Sequence, residues 1–162
     1  LPNAQLIIVG DGPERKRVEE RIFKLGLDNS VKLYGALPHQ EALQVISKGW
    51  IYAQHSVTAF SGDQEGFGLS LAEAAAMGIP VVSTIHNGIV EQVEHEITGY
   101  LVPEFNYEAM GSKILQLLQD PEMIMQMGIN SRERILKMCD SKQRARKISL
   151  LLQKAENCRK NS

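Results

Sequence analysis

Metal and disulfide chemistry have little to work with in this sequence. It holds two cysteines, Cys139 and Cys158, far apart and in no metal spacing. Two thiols without a framework suit a reducing compartment. The four histidines, His39, His55, His86 and His95, form no HxxxH or HExxH pair, which argues against a bound metal. No apolar run reaches the ~18 residues a membrane span needs. No G-x-x-x-x-G-K-[ST] occurs, so a P-loop is excluded. Net charge is only −1, so the whole chain advertises neither nucleic acid nor an acidic partner. No signal peptide and no methionine open the chain at "LPNAQLIIVG", which gives the expectation of a fragment that begins partway through a domain.

What is present is an ordinary globular composition. The 162 residues are 43% apolar and 23% charged, enough for one domain with a real core. The charge is uneven. Residues 132–162 hold ten Lys/Arg against three acids, and the remainder holds 8 against 16. Either a basic tail meets a phosphate-rich surface, or these are solvated helix faces, the commoner case.

Strand and helix patterns alternate. Apolar runs at 5–10, 31–35, 50–54, 80–84 and 99–102 read as strands. Between them lie helical patterns. The first follows Gly12, with Pro13 in its opening turn and Gly26 as C-cap; the second covers 38–49, closed by Gly49. A third runs from 66 to 77 with Gly78 as C-cap, and "GIVEQVEH" is a short fourth. Helices over 107–119, 121–138 and 141–158 complete the chain. This alternation predicts an α/β fold, a Rossmann-like, mostly parallel sheet with flanking helices. Ligands of such folds bind at the carboxyl ends of the strands. The candidate site loops are therefore Gly10–Pro13, His55–Gly66 and Thr84–Ile89.

"GDGPER" offers Gly10 and Gly12 as G-x-G, but Arg15 stands where a dinucleotide fingerprint needs its third glycine. "GDQEGFGLSLAEAAAMGIPVV" (62–82) is more telling. Gly66-Phe67-Gly68-Leu69 opens a helix whose free N–H groups make an anion site. Gly66 and Gly68 let a phosphate approach the backbone. Glu65 faces the pocket, and Glu73 lies eight residues on, about two turns in at ~3.6 residues per turn. Carboxylates accept well from sugar hydroxyls, so an anion site with acids at two depths fits a sugar–pyrophosphate–ribose ligand. Equally, Glu65 could complement the helix dipole and Glu73 pair with a basic neighbour.

"IVGDGPER", "VKLYGALPHQE", "EGFGLSLAEAAAMGIPVVST", "NGIVEQV" and "TGYLVPEFN" run in order at natural spacing. Together they resemble the C-terminal, donor-binding half of glycosyltransferase family four, in the GT-B fold. The flavour is that of the group 1 enzymes that build bacterial exopolysaccharides. The resemblance spans residues 1 to about 138, and E-x(7)-E is its most specific block.

The resemblance implies that Glu65 contacts donor-sugar hydroxyls as the candidate catalytic residue. Glu73 would bind the ribose hydroxyls, and the backbone of Phe67, Gly68 and Leu69, with Gly66 beside them, the pyrophosphate. Gly10 and Gly12 would shape the loop near the phosphates, and the Leu37 region would border the nucleobase. Such enzymes retain anomeric configuration and usually need neither metal nor cofactor. Their donor is a UDP- or GDP-linked sugar, and their acceptor a glycan or lipid-linked hydroxyl reached through an N-terminal domain. By the same resemblance this chain lacks the first strand and helix of the half-domain, and an Arg and a Lys that neutralise the diphosphate. Trp50 stands where Asp is common, and His55 where Pro is common.

The expected organisation is a partial donor domain over 1–138 and a basic helix and tail over 139–162. The expected setting is cytoplasmic with no nucleic acid partner; peripheral contact at the inner membrane face is the alternative to solvated helix faces for the basic C-terminal stretch. The favoured function is retaining sugar transfer by the intact protein, with residues 1–162 alone binding at most. The alternatives are a nucleotide-sugar-binding module without transfer, or a GT-B sugar-nucleotide epimerase.

Overall fold

The computed structural model of the protein describes the backbone of residues 3–160 and the side chains of residues 3–153. The chain divides into two units, Leu1–Lys48 and Gly49–Ser162. All strand pairs are parallel, as the alternation predicts. They form two sheets, one of two strands in the first unit and one of three in the second.

The first unit is β1 (Leu6–Val9), α1 (Arg15–Lys24), β2 (Val31–Gly35) and α2 (His39–Ile46). β1 pairs with β2 from Leu6 opposite Val31 to Val9 opposite Gly35, with a register shift after Ile8. Gly26 ends α1 in the left-handed region, φ 64°. There its N–H donates to the Phe23 carbonyl and that of Leu27 to Ile22, a Schellman closure. Two expected boundaries shift. Pro13 precedes α1 instead of opening it, because Gly12 to Arg15 form a turn closed by Arg15 N–H on the Gly12 carbonyl. α2 stops at Ile46 instead of running to Gly49, and the Ser47 hydroxyl donates to the Gln44 carbonyl at 2.9 Å.

The second unit orders β3 (Tyr52–Gln54), β4 (Val81–Thr84) and β5 (Gly99–Val102) with β4 in the centre. Its helices are α3 (Leu69–Ala76), α4 (Ile89–Gln92), α5 (Tyr107–Leu118), α6 (Pro121–Met138) and α7 (Ser141–Lys160). β4 is buried along its whole length. Alternation sends Val81 to a cluster with Leu71, Ile89 and Val93, and Val82 to one with Tyr100, Val102, Met110, Leu117 and Met127. α3 also packs Ala72 and Ala75 against Ile135 of α6. Contact with both sheet and helix is why its sequence is so apolar.

α6 approaches α3 closely. A Cβ on Gly128 would overlap the Gly78 carbonyl oxygen. Gly78 itself, at φ 79°, ends α3 in a second Schellman closure, with Ile79 N–H on the Ala74 carbonyl. Asn106 and Asp120 start α5 and α6 by accepting the N–H groups of Ala109 and Met123. Two members of the basic C-terminal stretch are structural. Arg132 donates to the Ala76 carbonyl at the end of α3, and Arg134 to the Glu91 and Gln92 carbonyls of α4. No described helix is long and apolar enough to cross a membrane.

Candidate functional site

The carboxyl ends of β3, β4 and β5 each feed a loop, and side chains sew the three loops together. The hydroxyls of Ser83 and Thr84, at the end of β4, donate to the carbonyls of Gln54 and Ser56 at 2.7 and 2.6 Å. His55 Nε2 accepts the Phe105 N–H at 2.9 Å, and its ring stacks at 4.6 Å on Tyr107. Burial holds the His55 imidazole below its ordinary basicity, opposed by the nearby Glu104 charge.

At the centre is His86, 2% exposed. Its Nδ1 lies 2.5 Å from Glu104 Oε1, and its Nε2 accepts the Glu65 N–H at 3.1 Å. Glu104 Oε2 accepts the Thr58 N–H at 2.9 Å. The hydrogen bond from His86, and then that from Thr58, hold the Glu104 carboxyl below the usual carboxylate range.

Glu65, Gly66, Phe67, Gly68, Leu69 and Glu73 are brought together where α3 begins. The helix starts at Leu69 with Gly68 as N-cap, so the expected opening at Gly66 is corrected. Gly66 and Phe67 belong to the incoming loop because Phe67 N–H donates to Glu65 Oε1 at 3.2 Å, a side-chain turn ahead of the helix. Glu73 is therefore about one turn inside α3, not two. Gly66 faces open space, whereas a Cβ on Gly68 would lie 3.2 Å from Leu71 Cβ.

Tyr52 of β3 ties the two acids electrostatically. Its hydroxyl lies 2.8 Å from Ser70 Oγ and 3.1 Å from Gln54 Oε1. Its phenol is pushed above the ordinary value, chiefly by burial; the Ser70 contact opposes that, and the charges of Glu73 and then Glu65 add to it. Two carboxylates thus act on one half-buried hydroxyl at the mouth of α3.

Gly10, Gly12 and Leu37 belong to the first unit. Gly10, at φ 137°, donates its N–H to the Gly35 carbonyl at 2.8 Å. Gly12 N–H donates to Asp11 Oδ1 at 2.8 Å, and Leu37 is half-buried. Arg15, in place of the third glycine, pairs with Asp11 at 3.5 Å and Glu19 at 2.9 Å.

Sequence reasoning missed His86 and Glu104 as members of the site. The loop Thr84–Ile89 was a candidate, yet nothing in the order of residues links a histidine to a glutamate 18 positions on.

A family model described as "Glycosyl transferases group 1" matches residues 1–134. The amylovoran biosynthesis glycosyltransferase AmsK of Erwinia amylovora is 34% identical over 128 residues, 79% of this chain and 31% of that protein. The N-acetyl-alpha-D-glucosaminyl L-malate synthase of Bacillus anthracis is 31% identical over 133 residues, 82% of this chain and 33% of that protein. The chain thus spans about a third of the length of these curated relatives. Among solved structures, Anabaena Alr3699/HepE in complex with UDP superposes with a TM-score of 0.81 at 26% identity, over 95% of this chain and 42% of that one. Its complex with UDP-glucose gives 0.79 at the same identity and coverage.

Proposed function

The chain belongs to the group 1 glycosyl transferases, and from that premise we propose that it is the donor-binding half of a retaining glycosyltransferase. The intact protein moves a sugar from a UDP- or GDP-linked donor to a hydroxyl of a glycan or lipid-linked acceptor. The acceptor is supplied through a further domain outside these residues, so residues 1–162 alone bind donor without transferring it. Positioning the nucleophile is a large part of catalysis, and that part lies elsewhere.

One observation carries the reading. The Phe67 N–H, just ahead of α3, donates to a carboxylate oxygen, that of Glu65 at 3.2 Å. A diphosphate oxygen suits the same place, favoured by the positive end of the helix. Glu65, displaced from the amide, then contacts sugar hydroxyls, and Glu73 the ribose hydroxyls. The amides stabilise the diphosphate as it departs, the charge the reaction has to stabilise. The UDP and UDP-glucose complexes of HepE support this donor class.

Calorimetric titration of the intact protein with UDP, UDP-glucose, GDP and GDP-mannose tests the reading. Saturable binding of a nucleotide sugar is expected, and no binding of any of the four would overturn it.

We place the protein in the cytoplasm, with α7 at the inner membrane face. α7 exposes Lys142, Arg144, Arg146 and Lys147 beside Ile148 and Leu151. The protein should then sediment with acidic vesicles at low salt and release at high salt. Absence of binding at low salt would assign those charges to solvated helix faces.

A further inference from the structure

His86 is buried, polar, and used by none of the contacts so far assigned to the donor. It joins two loops. On one side Glu104 Oε1 lies 2.5 Å from Nδ1; on the other the Glu65 N–H reaches Nε2 at 3.1 Å. An ionised carboxylate only accepts hydrogen bonds, and a backbone N–H only donates. One form of the ring satisfies both partners: the neutral imidazole with its proton on Nδ1. The other tautomer would set a lone pair against the carboxylate and an N–H against an N–H. Glu104 cannot easily turn away, because the Thr58 N–H holds its second oxygen at 2.9 Å.

The grip falls on the main chain of the residue whose side chain matters most. One position further on, the Gly66 carbonyl rests against Gly88 so closely that no Cβ would fit between them. The Glu65–Gly66 dipeptide is thus held at both ends, at the N–H that enters it and the carbonyl that leaves it, both from the loop that follows β4.

We propose that His86, held in its Nδ1–H tautomer by Glu104, is a positioning residue that fixes the backbone of Glu65 for contact with the donor sugar. The proposal rests on the donor-site reading above. It separates two jobs at one residue: the Glu65 amide is anchored, while the Glu65 carboxylate is free to exchange the Phe67 amide for sugar hydroxyls. Truncating His86 should therefore harm recognition of the sugar more than recognition of the bare diphosphate.

The test uses the intact protein and three variants. Nitrogen-15 spectra of the histidine rings should show His86 protonated on Nδ1 and bare on Nε2. Glu104→Gln should mix the tautomers. His86→Leu, which removes the acceptor, should weaken UDP-glucose or GDP-mannose binding about tenfold while changing UDP or GDP binding far less. His86→Gln, whose Oε1 can accept the Glu65 N–H, should recover most of that loss. Should His86→Leu not fold, the wild-type tautomer and the Glu104→Gln spectrum decide. A wild-type ring protonated on Nε2, or equal losses for His86→Leu and His86→Gln, would overturn the proposal. If the wild type binds no nucleotide, the donor reading fails by itself. Hydrogen exchange at the Glu65 amide, slow in wild type and fast in His86→Leu, still decides the anchoring.

Discussion

The carbonyl oxygen of Gly66 rests on the Cα of Gly88, so the loop before α3 and the loop after β4 meet backbone to backbone. Gly88 is there for space, since its φ of −67° suits any residue. Gly88→Ala should cost ~1–3 kcal/mol, the usual range for overpacking, because the obstructing atom is main chain and cannot rotate away. Urea unfolding measures this, and an unchanged midpoint would show that the loops part easily.

Gly66 and Gly68 should behave differently. A methyl on Gly66 meets nothing within 4 Å, while one on Gly68 presses on Leu71 of the core at 3.2 Å. Gly66→Ala should leave the melting temperature unchanged and weaken diphosphate binding, since the methyl occupies the approach to the amides. Gly68→Ala should lower the melting temperature as well. Scanning calorimetry with parallel UDP titrations separates the two effects.

Glu65 and Glu73 should divide the ligand between them. Glu73→Ala should weaken UDP and UDP-glucose alike, by ~1.5–3 kcal/mol per lost charge-assisted hydrogen bond. Glu65→Ala should weaken only the sugar conjugate. Because the Glu65 carboxylate accepts the Phe67 N–H where the diphosphate is proposed to bind, its loss should leave UDP affinity equal or higher. Lower UDP affinity in Glu65→Ala would contradict the exchange.

Stability should fall with acid in two stages. The folded state holds His55 below its ordinary value of 6.5, chiefly by burial, so its contribution is complete above that value and is lost below it, as the pH falls through the lowered folded value. Glu104 is held below its ordinary value of 4.5, chiefly by His86, so its contribution persists to lower pH and is lost below that value. His55→Gln should flatten the first stage and Glu104→Gln the second. Urea midpoints measured from about pH 8 to about pH 3 check the signs.

These residues also mark how far the sequence could be read. β4 was legible because four consecutive buried positions leave an unbroken apolar and small-residue run. α6 was legible to the residue, because Asp120-Pro121 writes its start and Asp140 follows its end. The start of α3 was not, because Glu65 folds back onto Phe67 and delays the helix by a competition that composition does not reveal. The carboxylates and glycines at its mouth were singled out by their spacing together with the family resemblance. His86 and Glu104 were not, since their pairing is made by two strands placing distant loops side by side. The division into two sheets falls where the family resemblance expects the missing first strand, between "LIIVG" and "WIYAQ".

Gly78 and Gly128 form a joint of the same kind as Gly66 and Gly88, with a peptide oxygen lodged where a side chain would begin. Every amino acid carries that oxygen. A crowded side chain can be relieved by trimming its neighbour, but here the neighbour is the same whatever residue stands at 78. Such a contact offers no compensating partner. Drift in this chain can renew the apolar lining between α3 and α6 many times over, while position 128 stays closed to anything larger than hydrogen.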